Sequence, residues 1–371
     1  MSERLESARA FLAEAGWKDA RLSPLPSDAS TRHYTRVASN GRVAMLMDQP
    51  QSREAPPCPS HATADERRAL GYNATARLAG ADCGRFIATA RFLRRRGIGA
   101  PDIYAGDTAQ GFVLLEDFGD ELYSDVLENG GAGDDLYAAA IDAIAQLHAE
   151  PAPHQLAPGT SLHAFDQVAC LAETDLMTEW FMPLALGRRA RDDEVDEHRA
   201  LWREALQSVR AQAPVFVHRD YHAQNLFWLP ARTGVARVGM IDFQDAVAGN
   251  RSYDLISLLE DARRDVAPGL ACAMKQRYAN AMKARGQEPD ADAWSAEIAV
   301  TAAQRNTKIA GIFARLASRD GKPRYLSHLP RVWGYLEHDL EHPALAKLRA
   351  WYDRTIPKES RRVTKSDGAA T

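Results

Sequence analysis

Two periods of apolar and polar residues alternate at the start of the chain. Residues 3–15 repeat at helical spacing and predict a short amphipathic helix. In LPSDASTRHYTRVASNGRVAMLMD, Arg32, Tyr34 and Arg36 alternate with His33, Thr35 and Val37, the period of a strand. Asn40-Gly41 signals a hairpin turn, and Arg42–Asp48 supplies the returning strand. Residues 49–62 (QPQSREAPPCPSHA) are rich in proline and polar side chains and read as a loop. From Asp82 to Arg96 a helical face carries Phe86, Ile87, Ala90 and Leu93, with Gly97 as its stop and Pro101 beyond. GFVLLE at 111–116 reads as a buried strand. This order of strand, strand, helix and strand predicts a small α+β lobe over residues 1–116.

Past that point the pattern turns helical. Leu136, Ile144 and Leu147 lie on a helix ending near His148, and further helices are expected at 166–186, 194–212, 252–265, 268–285 and 291–318. Short strands are expected at 215–217, 226–228 and 235–241. The second lobe therefore spans 117–357, and the polar stretch KESRRVTKSDGAAT at 358–371 is expected to be disordered. No internal repeat is evident.

Composition narrows the class. At 371 residues the chain exceeds what one core usually covers, in keeping with two lobes. A net charge of -4 argues against nucleic acid as a partner. Cys58, Cys83, Cys170 and Cys272 are scattered, which fits reduced thiols better than a disulfide frame or a zinc site. The charged N-terminus has no apolar signal core and no run of about 18 apolar residues occurs, so a cytoplasmic protein without a membrane span is expected. Nothing in the sequence identifies a protein partner.

The chemistry concentrates between Val215 and Asp254. A strand, VFV, leads into His218-Arg219-Asp220-Tyr221-His222-Ala223-Gln224-Asn225, a strand LFW follows, and VARVGMI ends at Asp242-Phe243-Gln244-Asp245. Phosphoryl transfer needs an acceptor for the substrate hydroxyl proton and oxygen ligands for magnesium on the phosphates. H-x-D-x-x-x-x-N followed one hairpin later by D-F supplies these parts, with Asp220 as base and Asn225 and Asp242 as metal ligands. A lone loop Asp is usually a cap, and His218 more often holds a loop than performs catalysis. The joint spacing is what carries the functional reading.

HRDYHAQN with IDFQDAVAGNRSYDL resembles the aminoglycoside phosphotransferase and choline kinase superfamily. PSDASTRHYTRV, MDQP, GFVLLEDFGD and QRNTKIAGIFARLASRDGKPRYLSHLPRV resemble, more narrowly, the bacterial anomeric kinases of N-acetylmuramate and N-acetylglucosamine in cell-wall recycling. The resemblance implies a two-lobed, protein-kinase-like α+β fold that binds ATP and Mg²⁺ in the cleft between lobes. It implies that Leu115–Phe118 is the hinge, with Glu116 and Phe118 at the adenine. It implies an amino sugar as the small-molecule partner, phosphorylated on its C1 hydroxyl during peptidoglycan recycling.

The chain departs from the wider kinase pattern in two ways. The first hairpin reads SDASTR, without glycine, so Ser30 and backbone amides are left to cradle phosphate. No lysine occurs between Lys18 and Lys275, and methionine, Met45 or Met47, stands where the phosphate-binding lysine is expected. Arg32, and less strongly Arg36, is the candidate substitute. His222, Gln224 and Asp245 are candidate acceptor contacts, or braces for the loop. Asp254 is expected to anchor the loop. Arg305 and Lys308, three apart on one helix, are candidates for a substrate carboxylate or simply a solvated face. Trp180 and Phe181 read as core. Competing readings are a metallohydrolase using His218, Asp220, His222 and Asp242, a pseudokinase, and a kinase for an aminoglycoside, choline or another small alcohol.

Overall fold

The computed structural model describes residues 3–26, 32–50, 57–59, 61–79, 82–210, 213–288 and 290–363. In chain order the elements are α1 (Glu3–Glu14), β1 (Arg21–Pro24), β2 (His33–Ser39), β3 (Arg42–Asp48), α2 (Ala64–Leu70), α3 (Cys83–Arg95), β4 (Ile103–Asp107), β5 (Phe112–Leu115), α4 (Tyr123–Glu128) and α5 (Gly133–Leu147). Then come β6 (Gln155–Ala157), β7 (Thr160–Ser161), α6 (Gln167–Leu176), α7 (Met182–Leu186), α8 (Asp192–Ser208), β8 (Val215–Val217), β9 (Leu226–Trp228), β10 (Val238–Met240) and β11 (Val247–Gly249). The chain finishes with α9 (Ser252–Leu259), α10 (Pro268–Lys283), α11 (Ala291–Ser318), α12 (Leu329–Asp339) and α13 (Ala346–Thr355). Two compact units result, one made of residues 1–147, 153–163 and 223–246, the other of 148–152, 164–222 and 247–371.

The first unit is built on a five-stranded antiparallel sheet of order β1-β2-β3-β5-β4. The Asn40-Gly41 turn joins β2 to β3 as the sequence predicts, with Arg36 opposite Met45 and Tyr34 opposite Met47. Helix α1 buries Ala8, Phe11 and Leu12 against Val37, Ala44, Leu46, Phe112 and Leu114 of the sheet. Removing this apolar surface from water is the main stabilising term. The β9–β10 hairpin belongs to this unit. The strand expected at 235–241 is shorter, because 234–237 winds into a 3₁₀ turn before β10. Close approach fixes one glycine here: a Cβ on Gly99 would lie 2.2 Å from the Val238 carbonyl oxygen.

The second unit is helical apart from the β8–β11 pair. Its core gathers Met177, Phe181, Trp202, Trp333, Trp351 and Tyr352, so Phe181 is the core residue the pattern predicts. The helix expected at 166–186 is interrupted by a π turn at Met177–Phe181. Helix α11 lies deep in this unit, and a Cβ on its Gly311 would come within 2.6 Å of the Leu176 backbone, so only glycine lets α6 and α11 cross there. The expected disordered tail starts too early. Lys358–Arg361 forms a 3₁₀ turn, and buried Arg361 bonds Glu337 at 2.9 Å and Asp353 at 2.8 Å. Residues 364–371, and half of the expected 49–62 loop (51–56 and 60), lie outside the described residues. Among the described residues no helix is long and apolar enough to cross a membrane.

Candidate active site

The metal-ligand candidates sit in the first unit, at one end of the β9–β10 hairpin. Asn225 closes a 3₁₀ turn immediately before β9, and its carbonyl accepts the Ile241 N–H at 3.1 Å. That bond holds Asn225 beside the strand end that delivers Asp242. Asp242 has a φ of 61°, a left-handed conformation that Asp adopts more readily than most residues. Next to it Phe243 is fully buried and stacks on Phe86 of α3 at 4.9 Å. Arg85, also from α3, donates to the carbonyls of Gln244 (2.7 Å), Ala246 (2.8 Å) and Ser161 (2.7 Å), clamping the turn after Asp242.

The Asp242 carboxylate is 42% exposed, while Arg32, its ion-pair partner at 2.7 Å, is only 5% exposed. Gln244 Nε2 donates to the same oxygen, Oδ1, at 3.1 Å. Burial works against the Arg32 charge, but Asp242 foremost, then Tyr34 and Asp245, more than offset it and raise the guanidinium pKa. Arg32 immediately precedes β2, and the β3 methionines are buried, Met47 taking the Tyr34 hydroxyl at 3.5 Å. Arg36 is committed elsewhere, to Asp117 at 2.5 Å and Asp120 at 2.7 Å. Asp245 pairs with Arg77 at 2.8 Å through Oδ2, while its buried Oδ1 has no partner. Ser30 and the rest of SDAS lie outside the described residues.

At the expected hinge, the Glu116 amide is spent on the Asp102 carbonyl at 2.9 Å, and its carboxylate takes the Asp102 N–H and Arg232. Phe118 packs edge-on against Phe227 under Arg232.

The base candidate belongs to the second unit. After β8 the chain is held by Asp254 of α9, whose two carboxylate oxygens accept the N–H groups of His218 (2.7 Å) and Arg219 (3.0 Å). This is the anchoring expected for Asp254. Behind it, buried His148 bonds the Tyr278 hydroxyl at 2.8 Å. Arg219 has a φ of 77°, an uncommon state for an arginine, and its side chain is pinned by an ion pair to Glu173 and by stacking on Phe165. Asp220 follows, half-buried. Burial favours its neutral form, yet Lys308, then His222, Arg219 and His218 pull its pKa down to about 2. The carboxylate is therefore ionised throughout the physiological range.

His222 is buried against Arg263 (3.5 Å), and burial lowers its pKa to about 4, so the ring is neutral near pH 7. Gln224 is exposed. Arg305 and Lys308 depart from both readings of a charged helix face. Buried Arg305 donates to the Glu260 carbonyl at 3.1 Å, and Lys308 bonds Glu173 and the Tyr253 hydroxyl, both at 3.1 Å. Residues 299–311 of α11 are buried apart from half-buried Lys308, so this stretch has no solvated face to offer. Sequence reasoning missed Glu173, although a carboxylate among Ala169, Cys170, Leu176 and Met177 was the available signal. Among the described residues no group of three or more His, Cys, Asp or Glu side chains is set to hold a metal.

Comparison with known proteins decides the family. The model of the phosphotransferase enzyme family matches residues 21–290. The chain belongs to that family. Over 97% of its length the phosphotransferase is 44% identical to a Caulobacter vibrioides protein named N-acetylmuramate/N-acetylglucosamine kinase, covering 99% of it. A Pseudomonas aeruginosa protein of the same name is 32% identical over 91% of the chain and 90% of its own length. Among solved structures, a microcompartment-associated aminopropanol kinase matches with a TM-score of 0.58 at 15% identity, covering 99% of both chains. An ADP-bound aminoglycoside phosphotransferase matches at 0.52 and 15%, over 94% of this chain and 99% of that one. The phosphotransferase thus has the protein-kinase-like α+β fold of this group, as its motifs imply.

Proposed function

We propose that the phosphotransferase moves the γ-phosphoryl group of ATP to the anomeric hydroxyl of N-acetylmuramate or N-acetylglucosamine, giving the sugar 1-phosphate in peptidoglycan recycling. The observation that carries the acceptor is the 44% identity, across nearly both whole chains, to a kinase named for these two sugars. A nucleotide donor is supported by the ADP- and GDP-bound states of structural neighbours.

Asp220 is the base. The sugar O–H bond breaks as its oxygen bonds the γ-phosphorus, the proton passes to Asp220, and the bond from phosphorus to the ADP oxygen breaks. A carboxylate with a pKa of about 2 is a weak base. A loose transition state asks for little more, because the attacking oxygen becomes acidic only as its bond to phosphorus forms. Asp220 contributes aim first and proton affinity second.

Asn225 and Asp242 are the residues that would hold magnesium. They fit it, because magnesium keeps most of its waters and needs only one or two protein oxygens. The half exposure of the Asp242 carboxylate supports this reading, since it leaves room for an ion and its waters. When bound, the ion neutralises charge on the phosphate oxygens. Arg32 supplies the permanent charge that the absent lysine would have given, forked toward phosphate. Asp245, with one buried oxygen lacking a partner, neutral His222 and exposed Gln224 are the acceptor contacts.

Phosphorus NMR of purified protein with ATP, Mg²⁺ and each sugar tests the reading. An anomeric sugar phosphate is the expected product. A phosphate at C6, or turnover with an aminoglycoside alone, overturns the acceptor assignment.

A further inference from the structure

Helix α9 runs beside the segment that carries the base. At its start Asp254 takes the N–H groups of His218 and Arg219, and further along Ser257 donates to the Arg219 carbonyl at 3.4 Å. In the turn beyond its end, an Arg263 guanidinium nitrogen meets His222 Nε2 at 3.5 Å, while the His222 N–H bonds the Asp220 carbonyl at 3.1 Å. One short helix therefore holds the base segment and sets a guanidinium one side chain away from Asp220. The turn is locked by Asp261, which accepts the Arg263 backbone N–H at 2.8 Å. Arg263 is half-buried, yet among the described residues its guanidinium forms no ion pair, and the imidazole it touches is neutral. The neighbouring cations are committed. Arg305 donates to the Glu260 carbonyl, Lys308 bonds Glu173 and Tyr253, and Arg331 holds Asp265 and the Ala262 carbonyl.

We propose that Arg263 is the specificity residue that receives the lactyl carboxylate of N-acetylmuramate, in place of Arg305 and Lys308. This rests on the sugar-kinase reading with Asp220 as base. The carboxylate hangs from the C3 oxygen, several bonds from the C1 hydroxyl, so a sugar with that hydroxyl at Asp220 extends it past His222 to the guanidinium. An arginine fork matches both carboxylate oxygens. N-acetylglucosamine lacks the group and leaves Arg263 to water. A fully buried receptor would penalise that sugar by leaving a charge unpaired, whereas a half-buried one stays hydrated. The exposure of Arg263 is thus what lets one site take both sugars.

Wild type and Arg263→Met are compared on N-acetylmuramate, its uncharged methyl ester and N-acetylglucosamine. For wild type, kcat/KM on the ester should lie about 10- to 100-fold below that on the acid, the usual worth of a charge-assisted pair. Arg263→Met should lose about the same factor on the acid, mainly through KM, as for loss of uniform binding, and should tell acid from ester by less than about 3-fold. Its preference for N-acetylmuramate over N-acetylglucosamine should fall by the same factor. Arg263→Lys keeps the charge without the fork and should recover part of the loss. The ester comparison needs no variant, so the proposal stays exposed even if Arg263→Met does not fold: wild type handling acid and ester alike overturns it. So does an Arg263→Met that still prefers the acid, which would put the carboxylate at another cation. An equal loss on all three compounds would reduce Arg263 to a brace for His222 and overturn it too. Wild type inert on both sugars is the separate failure of the sugar-kinase reading, and the assignment falls with it.

Discussion

The two units treat their key carboxylates in opposite ways. In the first, Asp242 is half-exposed and has one cation and one amide beside it. In the second, Asp220 lies in the field of a buried ion network, and its backbone segment is fastened by two short bonds to Asp254. The difference follows from the jobs proposed for them. A metal ligand must keep open coordination space for an ion and its waters. A base must be ionised and aimed before the substrate arrives, since misplacement of a reacting group costs rate steeply. Arg32 and Arg36, four residues apart on one hairpin, repeat the contrast on a smaller scale. One is buried at Asp242, the other is half-buried and pairs with Asp117 and Asp120.

The largest effects should come from the two carboxylates, and they should differ in kind. Asp220→Asn is expected to lower kcat about 10²–10⁴-fold, the usual worth of a positioned base. Asp242→Ala should cost at least as much. Calorimetry separates them: Asp220→Asn keeps magnesium-dependent ATP binding, and Asp242→Ala loses it. Equal magnesium-dependent binding by both variants would erase the division of labour.

Next in size is Arg32→Ala. A charge-assisted contact is worth roughly 1.5–3 kcal/mol, so turnover should drop about 10- to 100-fold with a raised KM for ATP. Arg32→Lys should recover only part, because the fork is lost. Unchanged steady-state constants in Arg32→Ala would move the phosphate contact to backbone amides.

The sequence reveals the parts whose determinants are local. The His218–Asn225 spacing, the Asp242-Phe243 pair, the Asn40-Gly41 hairpin and α11 at 291–318 were all readable from periodicity and turn chemistry. Strands β1 and β4 were not, because RLSP and IYAGD are too short and mixed to show a period without the sheet beside them. Helix 166–186 read as continuous because a π turn leaves no mark in apolar spacing, although Pro183 just beyond it did hint at a break. Lys308 faced the wrong way in the sequence reading for a long-range reason. Its direction is set by Glu173 and Tyr253, distant in the chain, and helical spacing alone carries no information about which charges a fold will bury together.

Acid should weaken the second unit through its network. Burial lowers His198 to about 3 and His222 to about 4, and the cations beside Asp220 hold it at about 2. For each, the unfolded chain binds the proton first, so stability grows with pH through the gap between the two values. The histidine contribution is complete above about pH 6.5 and is lost toward pH 3–4, and that of Asp220 is lost only from about pH 4 to 2. The melting temperature should therefore fall steadily as pH drops below 6.5. Turnover of folded protein should show no break near 6.5 from His222, which is neutral on both sides of it. Such a break, abolished by His222→Gln, would mean that the imidazole is charged at neutral pH.

The smallest effect expected is that of Arg36→Ala, and it is the sharpest control on the comparison. Arg36 pairs with Asp117 and Asp120, and hydrogen bonds to Asp120 and then Asp117 hold its pKa above the ordinary value. Asp120 is 83% exposed, so water screens that bond and competes for both partners. Pairs of this kind typically contribute under about 1 kcal/mol. Arg36→Ala should shift the melting temperature by a few degrees at most and leave kcat and the KM for ATP within about twofold, against the much larger loss in Arg32→Ala. The double variant should be additive, because the two arginines share no carboxylate. A loss in Arg36→Ala matching that of Arg32→Ala, with the melting temperature unchanged, would show that Arg36 leaves Asp117 and Asp120 to reach the phosphates, and the contrast between the two arginines would fail.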